Sequence, residues 1–161
     1  MNFILYTKQT SSQRYEEIVL ESKDLCTDGK YDKSFVKLEK AIKLDEKRAF
    51  AYAIIGYCYL QQNKSAEAVL ALTEAVRRYS REPLYFYRLG IAHCNLNNYN
   101  LAIPNLRRSI ELNPGNPDFY KSLAECYLKA GNPQEAKKYL DLLDKLNLGN
   151  LTIYNRLWKM S

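Results

Sequence analysis

Four cysteines, one histidine and a cluster of arginines are the side chains through which this 161-residue chain could do chemistry. Cys26, Cys58, Cys94 and Cys126 are spaced by 32, 36 and 32 residues, without a C-x-x-C pair, and His93 is the only imidazole. Thiols so arranged can pack as small apolar side chains, pair as disulfides, or share a soft metal. Packing is the favoured reading, with disulfide and metal ligation as alternatives. No glycine-rich phosphate loop, nucleophile elbow or paired metal motif accompanies them. The expectation is a non-enzymatic protein with no catalytic residue, no metal and no cofactor.

The elements that carry these residues recur. Tyr52-x-x-Ile55-Gly56-x-x-Tyr59, Phe86-x-x-Leu89-Gly90-x-x-His93 and Tyr120-x-x-Leu123-Ala124-x-x-Tyr127 stand 34 residues apart. Twelve residues beyond each small residue comes Ala68, Ala102 or Ala136. A fixed period of this length is the mark of stacked repeats, each too small to bury its apolar face alone. Extending the register gives units 15–48, 49–82, 83–116 and 117–150, with a tail at 1–14. Each unit reads as a first helix A, a short turn and a second helix B. Pro83, Pro117 and Pro133 stand where a first helical turn begins, a place where the missing N–H is harmless. Asn132 is an expected N-cap, and Asn113-Pro114-Gly115-Asn116 a turn between units. Pro104, inside a helix B, predicts a slight bend without a break. After 150, Leu151, Tyr154, Leu157 and Trp158 recur at helical spacing and predict a short C-terminal capping helix.

This frame resembles the tetratricopeptide repeat over 15–150. The resemblance implies an all-α fold: stacked antiparallel helix pairs forming a right-handed superhelical solenoid. Unit one departs most, with Glu21 and Ser22 in place of the large–small pair and Ser34 in place of the helix B alanine.

The resemblance also implies where a ligand lies: along helices A, at unit positions 2, 5, 6, 9, 12 and 13. Carried onto this chain from unit two onward, the pattern predicts a partner-binding groove of Phe50, Ile54, Tyr57, Leu84, Tyr87, Arg88 and Ile91. Its far end is charged, with Lys121 and Glu125. Helix A of unit two is apolar on every face, so the fold should expose part of it, and exposed aromatic surface marks binding sites. The expected occupant is an apolar peptide or amphipathic helix of another protein, anchored by Tyr57 and Tyr87 with Arg88 beside them. The alternative is plain packing, or occlusion by the tail segment Phe3-Ile4-Leu5-Tyr6. One subclass of the family grips a C-terminal carboxylate of heat-shock chaperones. Its lysine and asparagine positions hold Ala53 and Tyr57 here, or Val19 and Lys23, so that clamp is absent.

Net charge is +6 and uneven. Arg77, Arg78, Arg81, Arg88, Arg107 and Arg108 stand against Glu82 alone between Arg77 and Ile110. Arg77, Arg78, Arg107 and Arg108 fall on helices B and predict a basic convex patch. No aromatics interleave them to stack on bases, so nucleic acid is the weaker partner class. The apolar run Ala49–Leu60 is shorter than the roughly 20 residues of a membrane span. Phe3–Tyr6 is too short for a signal core, which predicts a cytoplasmic protein. The function expected is a protein–protein interaction scaffold. Its rivals are a small dedicated chaperone, similar to type III secretion translocator chaperones, and a basic RNA- or assembly-binding repeat protein.

Overall fold

The computed structural model describes the backbone of residues 10–158 and side chains through 146. Eight helices follow one another: α1 (Ser11–Thr27), α2 (Tyr31–Leu44), α3 (Ala49–Gln61), α4 (Ser65–Arg78), α5 (Pro83–Asn95), α6 (Tyr99–Leu112), α7 (Pro117–Lys129) and α8 (Pro133–Trp158). Each helix packs on its neighbours in sequence. The odd-numbered helices also touch one another (α1 on α3, α3 on α5, α5 on α7), whereas among the described residues no two even-numbered helices do. Helices A are thus the close, inner row of an all-α solenoid, and helices B the splayed, outer one.

The small residues permit the close approach within a pair. A Cβ added to Gly90 would stand 2.6 Å from Leu106 Cγ and 3.2 Å from the Ala102 carbonyl oxygen; one added to Gly56 would stand 2.8 Å from Leu72 Cδ2. Ala68, Ala102, Ala124 and Ala136 are fully buried beside them. The divergent first unit solves the same problem differently. Ser22 and Ser34 are fully buried but satisfied, Ser22 Oγ donating to the Ile18 carbonyl at 2.6 Å and Ser34 Oγ to the Ser22 carbonyl at 2.8 Å. A buried hydroxyl with a backbone acceptor avoids most of the desolvation penalty of a lone polar group.

Every turn from helix A to helix B places its fifteenth unit residue in the left-handed region: Gly29 (φ 74°), Asn63 (57°), Asn97 (60°) and Gly131 (76°). The residue after each donates its N–H five positions back, as in Lys64 to Tyr59 at 2.9 Å and Asn98 to His93 at 2.9 Å. These are left-handed helix C-terminal caps, which favour glycine and tolerate asparagine. Asn132 accepts from the Glu135 N–H at 3.2 Å, the expected N-cap. Pro104 sits inside an unbroken α6.

Two boundaries differ from expectation. Helix α1 starts at Ser11, because Thr10 and Gln13 form a capping box four residues ahead of the expected start of the repeats. The separate capping helix after 150 is also absent: α8 is one 26-residue helix. Leu148 and Leu151 stand where unit three has Pro114 and Pro117, so nothing stops the helix there. The side chains expected to cover the end of the stack, and the segment Phe3–Tyr6, lie outside the described residues.

Candidate functional site: the concave face

Two clefts lie side by side on the inner row. The first, about 330 Å³, is lined by Lys23 and Thr27 of α1, Phe50, Ile54 and Tyr57 of α3, and Glu82, Leu84, Tyr85 and Arg88 of α5. The second, about 350 Å³, lies between Tyr57, Leu60, Gln61, Leu84, Tyr87, Arg88, Ile91 and Asn95. Tyr57, Leu84 and Arg88 belong to both and form the wall between them.

Helical spacing explains this wall. Leu84 and Arg88 are four residues apart on α5 and so share a face, and Tyr57 meets them from α3. The Arg88 guanidinium lies over the Tyr57 ring, 4.6 Å from its centroid, a cation–π contact. Burial pushes the Arg88 guanidinium below its usual range. Among the described residues no carboxylate forms an ion pair with it. The nearest acid in the cleft, Glu82, instead caps α5 by accepting from the Leu84 N–H at 3.3 Å. Tyr85, at the cleft floor, has its hydroxyl pushed up to about 12 by burial and by Glu82.

Seven of the nine expected groove residues therefore come together. Phe50 and Leu84 are exposed (39% and 40%), while Tyr57, Tyr87, Arg88 and Ile91 are half-buried. Ile54 is only 2% exposed and belongs more to the core than to the surface. Tyr87 is largely committed to packing, its ring 4.9 Å from that of Phe119 and its hydroxyl 3.2 Å from Ser122 Oγ. Lys121 and Glu125 are exposed on α7 and line neither cleft. Lys23 and Thr27 are additions: the position pattern, applied from unit two, stops short of the first helix. Tyr85 falls at unit position 3, outside the pattern altogether.

The outer arginines are placed on helices B as expected, but each is already occupied. Arg77 pairs with Glu74 at 2.9 Å and Arg108 with Glu111 at 2.8 Å. Arg107 Nε donates to the Tyr139 hydroxyl at 3.1 Å. Arg78, its side chain 14% exposed, pairs with Glu74, donates to the Glu46 carbonyl at 2.7 Å and lies 3.9 Å over the Tyr52 ring. Arg77, Arg107 and Arg108 remain exposed, and two glutamates stand against the four arginines, so the outer face keeps a net positive charge there. Glu74 and Glu111 fall just outside the sequence window in which the arginines outnumber the acids, yet one helical turn brings them into contact.

All four cysteines are buried, as packing residues should be. Cys26 and Cys58 are nevertheless joined as a disulfide, the alternative the sequence left open, because adjacent inner helices bring their Cα atoms to 5.7 Å. His93 is buried with its Nδ1 unpartnered, and desolvation holds it below the usual histidine range. Among the described residues no group of acids, cysteines or histidine could hold a metal.

An inner row of helices with small residues at its contacts, and an open concave face, defines a helical repeat scaffold. Tetratricopeptide repeat sequence patterns match residues 23–83 and 96–157, together well over half the chain. The chain belongs to the tetratricopeptide repeat family. It is similar to the human peptidyl-prolyl cis-trans isomerase FKBP4, 24% identical over 135 residues, covering 83% of this chain and 29% of the relative. It is also similar to the cell division cycle protein 27 homolog of Caenorhabditis elegans, 28% identical over 79 residues, covering 49% of this chain and 10% of the relative. The chain thus spans less than a third of the curated relatives it matches. Among solved structures it resembles the MamA protein (TM-score 0.77, 23% identity, 86% of this chain and 75% of that one). It likewise resembles YrrB, described as a TPR protein with an unusual peptide-binding site (TM-score 0.74, 24% identity, 89% and 72%). These likenesses show the shared fold. Among the described residues no helix is long and apolar enough to cross a membrane.

Proposed function

We propose that this chain is a non-enzymatic adaptor whose concave face binds an apolar segment of a partner protein carrying an acidic side chain. The observation that carries this reading is Arg88, stacked on Tyr57 in the wall between two apolar clefts, with no ion-paired carboxylate among the described residues. A half-buried cation gains most from an anion delivered into the same poorly hydrated place. Apolar side chains flanking that acid would enter the clefts on either side, against Phe50 and Leu84 in one and Leu84 and Ile91 in the other. Lys23 at the first cleft adds positive charge. An extended peptide laid along helices A meets these groups in succession. The peptide-binding site of YrrB, on the same fold, is consistent with this use of it.

The test is selection from a random-peptide display library on the immobilised full chain. Recovered sequences should share an aspartate or glutamate flanked by aromatic or aliphatic residues. Binding of a selected peptide should fall at least ~10-fold on Phe50→Ala with Leu84→Ala, two exposed positions, while the melting temperature stays within about 2 °C. Peptides that bind equally well to this double variant, or that carry no acid, would overturn the reading.

A further inference from the structure

Position 12 of one unit faces position 10 of the next along the inner row. Cys26 and Cys58 hold these positions at the first junction, where they are disulfide-bonded. Cys94 and Cys126 hold the same two positions at the third junction, between α5 and α7. At the middle junction the pair is Leu60 and Ala92. The register therefore brings a second cysteine pair together at the equivalent positions of another junction. Cys94 and Cys126 are free, buried and part of one apolar cluster. Burial and the adjoining Cys94 push the Cys126 thiol up to about 12. The two thiols are not equally accessible, since Cys94 borders an open cleft with Asn63, Asn95, Asn97 and Lys129, whereas Cys126 is fully buried behind it.

We propose that Cys94 and Cys126 are a redox modification site, forming a second inter-repeat disulfide by exchange with a small-molecule disulfide of the oxidised-glutathione class. In the first step Cys94 gives up its proton to solvent, and its thiolate attacks one glutathione sulfur. The S–S bond of glutathione breaks, one glutathione thiolate leaves, and Cys94 carries the mixed disulfide. In the second step Cys126 loses its proton and its sulfur attacks the Cys94 sulfur, expelling the second glutathione thiolate. Two protein thiols are oxidised, one glutathione disulfide is reduced to two thiols, and the two protons released appear on the departing thiolates at neutral pH. Order follows access: Cys94 is the entry sulfur and Cys126 the resolving one.

The full chain equilibrated in glutathione buffers, from reducing to oxidising, tests this by mass mapping of peptides without reduction. Under oxidising buffer the peptide containing Cys94 should be recovered joined to that containing Cys126. In a Cys26→Leu, Cys58→Ala background, which places the middle-junction residues at the first junction, oxidation should raise the melting temperature by ~5 °C or more. Adding Cys126→Ala, the residue that unit three carries as Ala92, should abolish that rise and leave glutathione attached to Cys94. Free thiols at Cys94 and Cys126 in a buffer that yields the Cys26–Cys58 link in the unmodified chain would overturn the proposal. So would an undiminished rise in melting temperature with Cys126→Ala. Mapping of the unmodified chain decides the matter even where a variant fails to fold.

Discussion

Arg88 on the inner face and Arg78 on the outer one are both half-buried and both lie over a tyrosine ring, at 4.6 Å and 3.9 Å from its centroid. Their difference is in what else they hold. Arg78 pairs with Glu74 on its own helix and ties α4 to Tyr52 of α3 and to the Glu46 carbonyl between α2 and α3, so its charge is consumed by the fold. Arg88 has its tyrosine and, among the described residues, no ion-paired acid. What separates the two cations is the presence or absence of an internal acid, which is the distinction the proposed peptide-binding role of Arg88 rests on. The same contrast separates Arg77 and Arg108, each with its glutamate, from the groove.

Loss of the scaffold itself would remove both arginine environments at once. Gly90→Val would drive a side chain into Leu106 and the Ala102 carbonyl, and should destabilise the chain by about 2–3 kcal/mol in urea unfolding, removing both faces together. Next in size, Arg88→Ala should weaken a selected acidic peptide by about 2 kcal/mol in calorimetry with little change in melting temperature. Arg78→Ala should do the reverse, losing about 1–2 kcal/mol of stability and leaving peptide affinity within about twofold. If Arg78→Ala lowers affinity as much as Arg88→Ala, the distinction between the two arginines fails.

A smaller effect comes from His93, buried at a position that Tyr59 and Tyr127 fill in the neighbouring units. Its folded pKa lies below the unfolded one, so unfolded chains take up a proton that folded chains resist. Stability should be fully present above about pH 6.5 and fall as pH drops below it, by less than about 1 kcal/mol per pH unit for this group. His93→Tyr should flatten that portion of the stability–pH curve, and an unchanged slope would show that other groups cause it. Smallest of all, Arg107→Ala with Arg108→Ala should change stability and peptide affinity by no more than about 0.5 kcal/mol each.

The architecture was legible because its determinants are local and periodic. Gly56, Gly90 and Ala124 against Ala68, Ala102 and Ala136 define the close helix pairs, and Pro83, Pro117 and Pro133 punctuate them. The lining of the two clefts was legible at coarse grain, since unit positions 2, 6 and 9 gave Phe50, Leu84, Arg88 and Tyr57. What eluded the sequence depends on pairings between elements. Charge counted along a window does not see Glu74 reach Arg77 and Arg78 from one turn back, or Glu111 reach Arg108 from one turn ahead. Apolarity alone does not tell the buried Ile54 from the exposed Phe50 four residues before it. The cysteine spacing of 32, two short of the repeat period of 34, is the offset that turns two side chains on successive inner helices toward each other.

The placement of those cysteines has a mechanical consequence. With both outer junctions bridged, units one and two become one stiff block and units three and four another. The joint between α3 and α5, where Leu60 and Ala92 hold the equivalent positions, then carries no bridge. Tyr57 and Arg88 stand on opposite sides of that joint, so a bend there would change the width of the wall between the two clefts.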